Sequence, residues 1–383
     1  MKKEQALNLI KQDITKKENK IRNYGIDLLR IIAMISIIIL HINLYSRILY
    51  LSSKDPRYKS AWRLETMGYW GVNGFGLISG IVGYKSYHFS NIMYIWVQSS
   101  FYSEIFTIYI YFTRKIKKKL FLSLFPILIR RHWYVNAYFF LYLFIPFINF
   151  GITHLNSKTY KYLVLFYFFI YSFYNIVAGS LLRGFDYHFL NYGYSTLWLL
   201  ILYIAGGYFG KHLFQDNNHL TFKYIIFYSF IYLFSTFVSS EFKFSKIKKK
   251  FSIINRISLI SYLSPTIVLQ AISLIMIFSK LNIKNKCFIK IISFFTPLTF
   301  NVTLSHLRIF DERLFGINKL FKWVISLKAK EMLYKIPLIA FSIYIILALL
   351  DYVRYILFNI LRIRRLCVYI EKQFPKSFDK SIN

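Results

Sequence analysis

The sequence predicts an all-α fold, a polytopic transmembrane helix bundle of about ten spans, and three observations support this prediction. Of the 383 residues, 56% are hydrophobic and 21% aromatic, while only 16 are Asp or Glu. Apolar runs of about 17–25 residues recur along the chain, and a helix of that length crosses a bilayer. Lys and Arg cluster between these runs. Soluble domains are less apolar and more acidic, and lipid offers no partner to a backbone group outside a helix.

The predicted spans follow the apolar runs in chain order. Each run is expected to be helical because its backbone groups have no other partner in hydrocarbon. The first run follows a polar segment and has no small-residue cleavage site, which indicates a retained span rather than a signal peptide. The spans cover residues 24–45, 67–84, 91–112, 133–150, 160–178, 194–210, 222–239, 258–278, 292–310 and 333–357.

Two basic segments flank a single membrane domain. Residues 1–22 form a basic head, residues 23–357 the transmembrane domain and residues 358–383 a basic tail. Positively charged segments stay on the cytoplasmic side. Both termini of this multi-pass cell-membrane protein are therefore expected in the cytoplasm, which agrees with an even number of spans. The basic loops 114–119 and 242–250 fall on the outer side under this topology, and their orientation is left open.

The net charge of +34 does not indicate nucleic acid as a partner. The cations lie in loops beside the spans, as they do in segments that face anionic lipid. The lipid bilayer is therefore the expected partner of these charges. Cys287 and Cys367 share no spacing typical of a metal site, and no metal is expected.

The first apolar run carries ionisable residues that spanning helices normally exclude. Asp27 and Arg30 lie in its first turns, and His41 lies near its other end. Helical geometry places Arg30 and His41 within about 20° of each other around the axis and about 16 Å apart along it. Asp27 lies one turn before Arg30 on the same side. Such residues are costly in a membrane and usually functional, so we predict a polar stripe along one face of this helix.

His41 and Arg30 each have a functional and a structural interpretation. A neutral imidazole can take a proton from a hydroxyl and return it, as a general base does, or His41 hydrogen-bonds a neighbour at the membrane surface. Arg30 can meet a phosphate or carboxylate. It can equally reach the lipid headgroups or form a salt bridge with Asp27, one turn away.

A run of small residues at 71–86 and a carboxyl in the third span have commoner structural explanations. Small residues let helix backbones approach closely, or they leave room for a threaded ligand, and close packing explains most such runs. Glu104 lies within the third span and is expected to have a polar partner there.

The late run at 296–310 adds a second histidine. His306 shares a helical face with Thr299 and Thr303, and it is expected near the same membrane surface as His41. Two imidazoles that approach one pocket from different helices would form a plausible site.

In this order, the runs resemble the membrane acyltransferase-3 family, in particular its polysaccharide O-acetyltransferase branch. Asp27, Arg30 and His41 look like the first-helix signature of that family, an Arg and a His separated by ten residues. The resemblance covers residues 22–357, and the ordered set of motifs is more specific than any one of them. GVNGFGLISG resembles the second-helix motif, WYVNAYFFLYLFIPFIN the fourth, NYGYSTLWLLILYIAGGY the sixth and TPLTFNVTLSH the late helix.

The resemblance implies transfer of an acetyl group from cytoplasmic acetyl-CoA to a hydroxyl of an envelope or exported polysaccharide. It implies that His41 is the general base or a transient acyl carrier. Arg30, oriented by Asp27, would stabilise phosphate or developing negative charge, and His306 is a further catalytic candidate. The arginine-rich run that follows the second helix in many members is missing here, so its role in donor binding is not carried over.

Two other classes of protein remain open. A polysaccharide flippase or polymerase also has many spans and basic loops, but it would need larger outer loops or a wide cationic cavity and would not depend on acetyl-CoA. A non-catalytic partner in an envelope assembly complex is the third class. A test of acetyl-CoA binding by the purified protein distinguishes such a non-catalytic partner from an acyltransferase.

Overall fold

The computed structural model describes an all-α chain in which no strand occurs among the described residues. Residues 1–21 of the basic head and the basic loop residues 115–119 and 245–250 lie outside the described part. The described residues are 22–114, 120–127, 132–181, 188–214, 220–244, 259–310 and 317–373.

Sixteen α-helices, labelled in chain order, make up the described part, and every predicted span falls on one or two of them. They are α1 Tyr24–Tyr45, α2 Pro56–Gly68, α3 Gly71–Gly83, α4 Phe89–Arg114, α5 Leu120–Ser123, α6 Trp133–His154, α7 Ser157–Phe168, α8 Asn175–Leu181, α9 Thr196–Tyr208, α10 Phe222–Phe244, α11 Pro265–Ser279, α12 Lys286–Phe295, α13 Thr299–Phe310, α14 Asn318–Ser326, α15 Ala329–Ile360 and α16 Ile363–Gln373.

The prediction of a multi-pass helical membrane protein is confirmed, while the total of ten spans stays a prediction. Within the described residues, six helical stretches are long and apolar enough to cross a membrane. The other predicted spans fall on shorter or more polar helices, one of which is α11. The six stretches are Tyr24–Tyr45, Trp133–His154, Ser157–Ala178, Phe222–Phe244, Lys286–Phe310 and Ala329–Ile360.

Several predicted spans are interrupted rather than straight. The predicted span 67–84 is divided between α2 and α3. The late span 292–310 contains a 3₁₀ turn at Thr296–Leu298, where Pro297 cannot donate a backbone hydrogen bond. An apolar run in the sequence does not show these breaks.

Helix α1 lies at the centre of the bundle. In its most apolar stretch 67% of the residues are buried, against 17% in α10 at the periphery. Asn23 caps the first turn by accepting from the Ile26 amide, and its side-chain amide donates to the Ser279 carbonyl at the end of α11. We call the end of the bundle that contains the start of α1 and the end of α11 the proximal end. At the opposite, distal end, the Tyr45 ring of α1 stacks on the Phe321 ring of α14, the helix that precedes α15.

The small residues at 71–86 serve helix packing, as expected for most such runs. A Cβ added at Gly80 would lie 2.0 Å from the Tyr203 carbonyl oxygen of α9. A Cβ at Gly206 would likewise lie 2.0 Å from the Leu77 carbonyl oxygen of α3. The backbones of α3 and α9 therefore touch, and no larger side chain fits at either position.

Buried amides join the helices that carry the sequence motifs. Asn149 of α6 donates to the Gly83 carbonyl and accepts from the Tyr203 hydroxyl, which links α6 to α3 and α9. Asn73 of α3 accepts from the Trp198 indole of α9 at 3.0 Å. These bonds fix the relative positions of three helices in a medium that offers no other partners.

Two acidic groups in the helices also have partners. Glu104 accepts from the Ser123 hydroxyl at 2.7 Å, which agrees with the structural role predicted for it. Asp351 of α15 forms a buried pair with Arg354, at 2.6 Å, and accepts from the Tyr102 hydroxyl of α4. This pair ties α4 to the proximal half of α15.

Replacing Gly80 by Ala tests the contact between α3 and α9. The added methyl group forces the two backbones apart, so we expect a loss of at least about 2 kcal/mol of stability. The measurement is thermal unfolding of the detergent-solubilised protein. Gly151→Ala is the control, because a Cβ there meets no atom within 4 Å. Equal melting temperatures for the two variants would contradict the packing.

Candidate active site

Arg30 and His41 lie on one face of α1, but the stripe between them is not continuously polar. Met34 and Ile37 occupy the intervening turns of that face and are buried. The face therefore has two polar ends about 16 Å apart along the helix. Each end has its own set of partners from other helices.

The proximal end carries the salt bridge that the sequence predicted. Arg30 Nη1 lies 2.7 Å from Asp27 Oδ1. The second oxygen of the same carboxylate accepts from Nε of Arg22. Only 5% of the Asp27 side chain is exposed, so one buried carboxylate faces two guanidinium groups. This end of the site keeps one excess positive charge.

Arg30 retains capacity for a further acceptor. Its side chain is 26% exposed, unlike that of Asp27. Within the described part of the chain, only its Nη1 has a hydrogen-bond acceptor, while a guanidinium has five N–H donors. Tyr138 of α6 interacts electrostatically with Arg30. The remaining donors can hold an anion, because a guanidinium binds phosphate and carboxylate groups.

The distal end brings the two predicted histidines together. Nε2 of His306 lies 2.9 Å from Nδ1 of His41, and the ring centres are 4.9 Å apart. Nδ1 of His306 lies 2.8 Å from the carbonyl oxygen of Val302, one helical turn earlier. His306 is fully buried, and the Phe310 ring meets it edge-on. A chain of two hydrogen bonds thus links the α13 backbone to His41.

These two bonds determine where the protons lie. The Val302 carbonyl can only accept, so Nδ1 of His306 carries a proton and donates to it. In a neutral His306, Nε2 then has a lone pair and accepts, which makes Nδ1 of His41 the donor of the second bond. Neutral His41 is therefore protonated on Nδ1, and its Nε2 holds a free lone pair. That atom can take a proton from a hydroxyl.

The threonines that share a face with His306 hold the helix in place. The Thr299 hydroxyl lies 2.9 Å from the Tyr344 hydroxyl of α15. The Thr303 hydroxyl donates to the sulfur of Met34 on α1 at 3.1 Å. Both contacts position α13 between α1 and α15, which keeps His306 against His41.

Sequence reasoning found the charged and imidazole groups and the Asp27–Arg30 salt bridge, but it missed the Val302 carbonyl and Tyr138. Neither carries a distinguishing signal, since every residue has a carbonyl and tyrosines are frequent throughout this chain. No group of three or more His, Cys, Asp or Glu side chains that could hold a metal ion occurs among the described residues.

Residues 23–358 match the sequence profile of the acyltransferase-3 family, which is described as an acyltransferase domain. This match covers most of the chain, and the chain belongs to that family. Together with the apolar helices, this makes it a multi-pass membrane acyltransferase. No curated protein and no solved structure matches the chain.

The proton positions in the histidine pair can be read from ¹⁵N magnetic resonance of histidine-labelled protein. We expect neutral His41 to carry its proton on Nδ1. Replacing His306 by Phe removes the acceptor, so His41 should return to the Nε2-protonated form that free imidazoles prefer. His154→Phe is the control, because His154 contacts the Phe150 carbonyl on α6 instead. A proton on Nε2 of His41 in the wild type would exclude the assigned hydrogen-bond chain.

Proposed function

We propose that this membrane acyltransferase moves an acetyl group from cytoplasmic acetyl-CoA to a hydroxyl of an envelope or exported polysaccharide. The observation that best supports this proposal is the histidine pair, in which the hydrogen bond to His306 leaves a lone pair on Nε2 of His41. An acyl transfer to a hydroxyl needs a group that removes the hydroxyl proton, and this lone pair supplies one. The termini are proposed to face the cytoplasm, as the basic flanking segments suggest.

In the proposed reaction, Nε2 of His41 accepts the proton of the acceptor hydroxyl as its oxygen attacks the thioester carbonyl. The C–O bond forms, and the carbonyl oxygen becomes an oxyanion. When the oxyanion collapses, the C–S bond breaks and the thiolate of CoA leaves with the proton held by His41. His306 keeps the ring of His41 oriented throughout, because the Nδ1 bond is present in both protonation states of His41.

Arg30 acts at the other end of the site in this proposal. Its distance of about 16 Å from His41 along the helix excludes a direct role at the same carbonyl. A long donor such as acetyl-CoA has its phosphates remote from its thioester, which suits an anion-binding group at that separation. Asp27 does not contact the donor; it positions Arg30 through their salt bridge.

Family membership favours this function over the two alternatives. A flippase and a non-catalytic assembly partner form no covalent bond, so neither needs a group that removes a hydroxyl proton. A polysaccharide polymerase does need one, and the match to an acyltransferase domain argues against it.

His41→Ala should lower acetyl transfer at least about 100-fold, because general-base catalysis contributes about that much or more. The measurement is ester-linked acetate on the envelope polysaccharide of producing cells that carry the variant in place of the wild type. His154→Ala should leave acetylation unchanged and controls for the loss of an imidazole. Normal acetylation at normal protein levels in the His41 variant would overturn the proposal.

Arg30→Gln should raise the KM for acetyl-CoA at least about tenfold and change kcat less, because a charged hydrogen bond contributes about 1.5–3 kcal/mol. The assay uses purified protein, labelled acetyl-CoA and polysaccharide from cells that lack the protein. Arg63→Gln, at an exposed arginine of α2 that faces Glu241, is the control. An unchanged KM would mean that Arg30 does not meet the donor.

A further inference from the structure

The chain turns sharply after α15 and stays against the bundle. Arg362 has a φ of 54°, a left-handed backbone conformation. Arg354 of α15 donates to the Tyr94 hydroxyl at 3.5 Å, and the Arg364 guanidinium lies 5.3 Å from the centre of the same ring. Ten residues of straight helix would separate the two arginines by about 15 Å. The described part of the basic tail therefore folds into α16, which packs beside α4.

Helix α16 has an apolar face and a basic face. Leu366 and Ile370 on the apolar face are 53% and 38% exposed, while Cys367 beside them is buried. Arg365 and Lys372 are turned away from these two apolar side chains by about 100–160° around the axis. A helix with this distribution lies in the plane of a membrane surface, with its apolar side towards the acyl chains.

The end of α15 places α16 at the boundary of the hydrocarbon. Ile360 and Leu361 are 71% and 57% exposed, as lipid-facing residues are. Arg362 follows directly, and α16 carries two more arginines in its first turn. The change from exposed apolar to basic residues occurs within two positions, so the headgroup region begins where α16 starts.

A groove of about 300 Å³ opens on the basic side of α16, lined by Arg364, Arg365, Val368, Tyr369 and Lys372. Within the described part of the chain, the acceptors of Arg364 are both neutral, the Ser90 carbonyl and the Asn91 side chain. Among the described residues, none of the three cations in the groove has a carboxylate within 4.0 Å. Glu371, the acidic residue of α16, does not line the groove and interacts with Tyr87.

We propose that this groove binds the phosphate of an anionic phospholipid. Three cations without a carboxylate attract a phosphate by their opposite charge, and guanidinium groups match a phosphate in geometry. The groove lies at headgroup level, and the exposed apolar side of α16 requires acyl chains beside it. The phosphates of a soluble nucleotide share this chemistry. A lipid is favoured because α16 follows the matched domain 23–358 and has its own membrane-facing side.

A bound lipid would hold the start of α4 in position. Arg364 donates to Asn91, and Asn91 donates to the Tyr142 hydroxyl of α6 at 3.0 Å. The ring of Tyr142 is 6.2 Å from that of Tyr138, which interacts with Arg30. Lipid binding at α16 is thus connected to the proximal end of the active site. The binding itself does not depend on the proposed acyl transfer.

The test uses the full-length protein, purified in detergent and titrated with phosphatidylglycerol or phosphatidylcholine while bound lipid is counted by native mass spectrometry. We expect Arg365→Gln with Lys372→Gln to weaken phosphatidylglycerol binding about 25-fold, at about fivefold for each cation near an anionic lipid. The charge-conserving double variant, Arg365→Lys with Lys372→Arg, should bind phosphatidylglycerol as the wild type does. The control double variant, Lys319→Gln with Lys322→Gln on α14, loses the same charge at another place and should change phosphatidylglycerol binding less than twofold.

Two outcomes would overturn the proposal. The first is equal binding of phosphatidylglycerol by the wild type and by the Arg365 and Lys372 double variant, with melting temperatures that show both are folded. The second is displacement of phosphatidylglycerol from the wild type by free CoA or inorganic phosphate at equal concentration, which would assign the groove to a soluble phosphate. The lipid site is supported by two results together. The Arg365→Gln and Lys372→Gln double variant alone binds phosphatidylglycerol more weakly, and neither free CoA nor inorganic phosphate displaces phosphatidylglycerol from the wild type.

Discussion

Polar groups inside this bundle have only one another as partners, because the surrounding hydrocarbon neither donates nor accepts hydrogen bonds. Several buried amides and one buried ion pair therefore bond a group on another helix and fix the spacing between the two helices. Asn149 does so for α6, α3 and α9, and Asp351 with Arg354 does so for α15 and α4. Where the backbones of α3 and α9 touch at Gly80, packing adds to these bonds. The arrangement of the helices follows from this requirement more than from apolar burial, which lipid provides equally on every side.

The same requirement gives the histidine pair its chemistry. A buried imidazole is most stable when both of its nitrogens have partners, and the two nitrogens of His306 contact the Val302 carbonyl and His41. Because a carbonyl oxygen can only accept a hydrogen bond, the contact with Val302 decides which nitrogen carries the proton in both rings. His41 is thereby left with a single unshared lone pair on Nε2. A lone histidine on an apolar helix could adopt either tautomer, so the second histidine is what makes the first a defined base.

Positive charge is divided between two places at the proximal end. One is the start of α1, where the buried Asp27 only partly offsets the charges of Arg22 and Arg30. The other is at the surface, on α16, where no carboxylate lies within reach of the groove in the described residues. Buried charge is costly unless it meets an opposite charge, whereas surface charge at a membrane is stabilised by headgroups. The two sets therefore suit different anions, a substrate inside and a lipid outside.

The sequence by itself determined the all-α membrane fold, the helical runs, the family and the face shared by Arg30 and His41. These follow from local rules, since hydrophobic length sets a span and 3.6 residues per turn set a face. The salt bridge of Asp27 and Arg30 was predictable for the same reason, because its members are one turn apart. The contact between His41 and His306 was not, since 265 positions separate them and only the packing of α13 against α1 brings them together. The Val302 carbonyl and the turn at Arg362 are backbone features that side-chain patterns do not encode. Tertiary structure alone decided the tautomer of His41 and the place of α16, because both depend on which groups meet across helices.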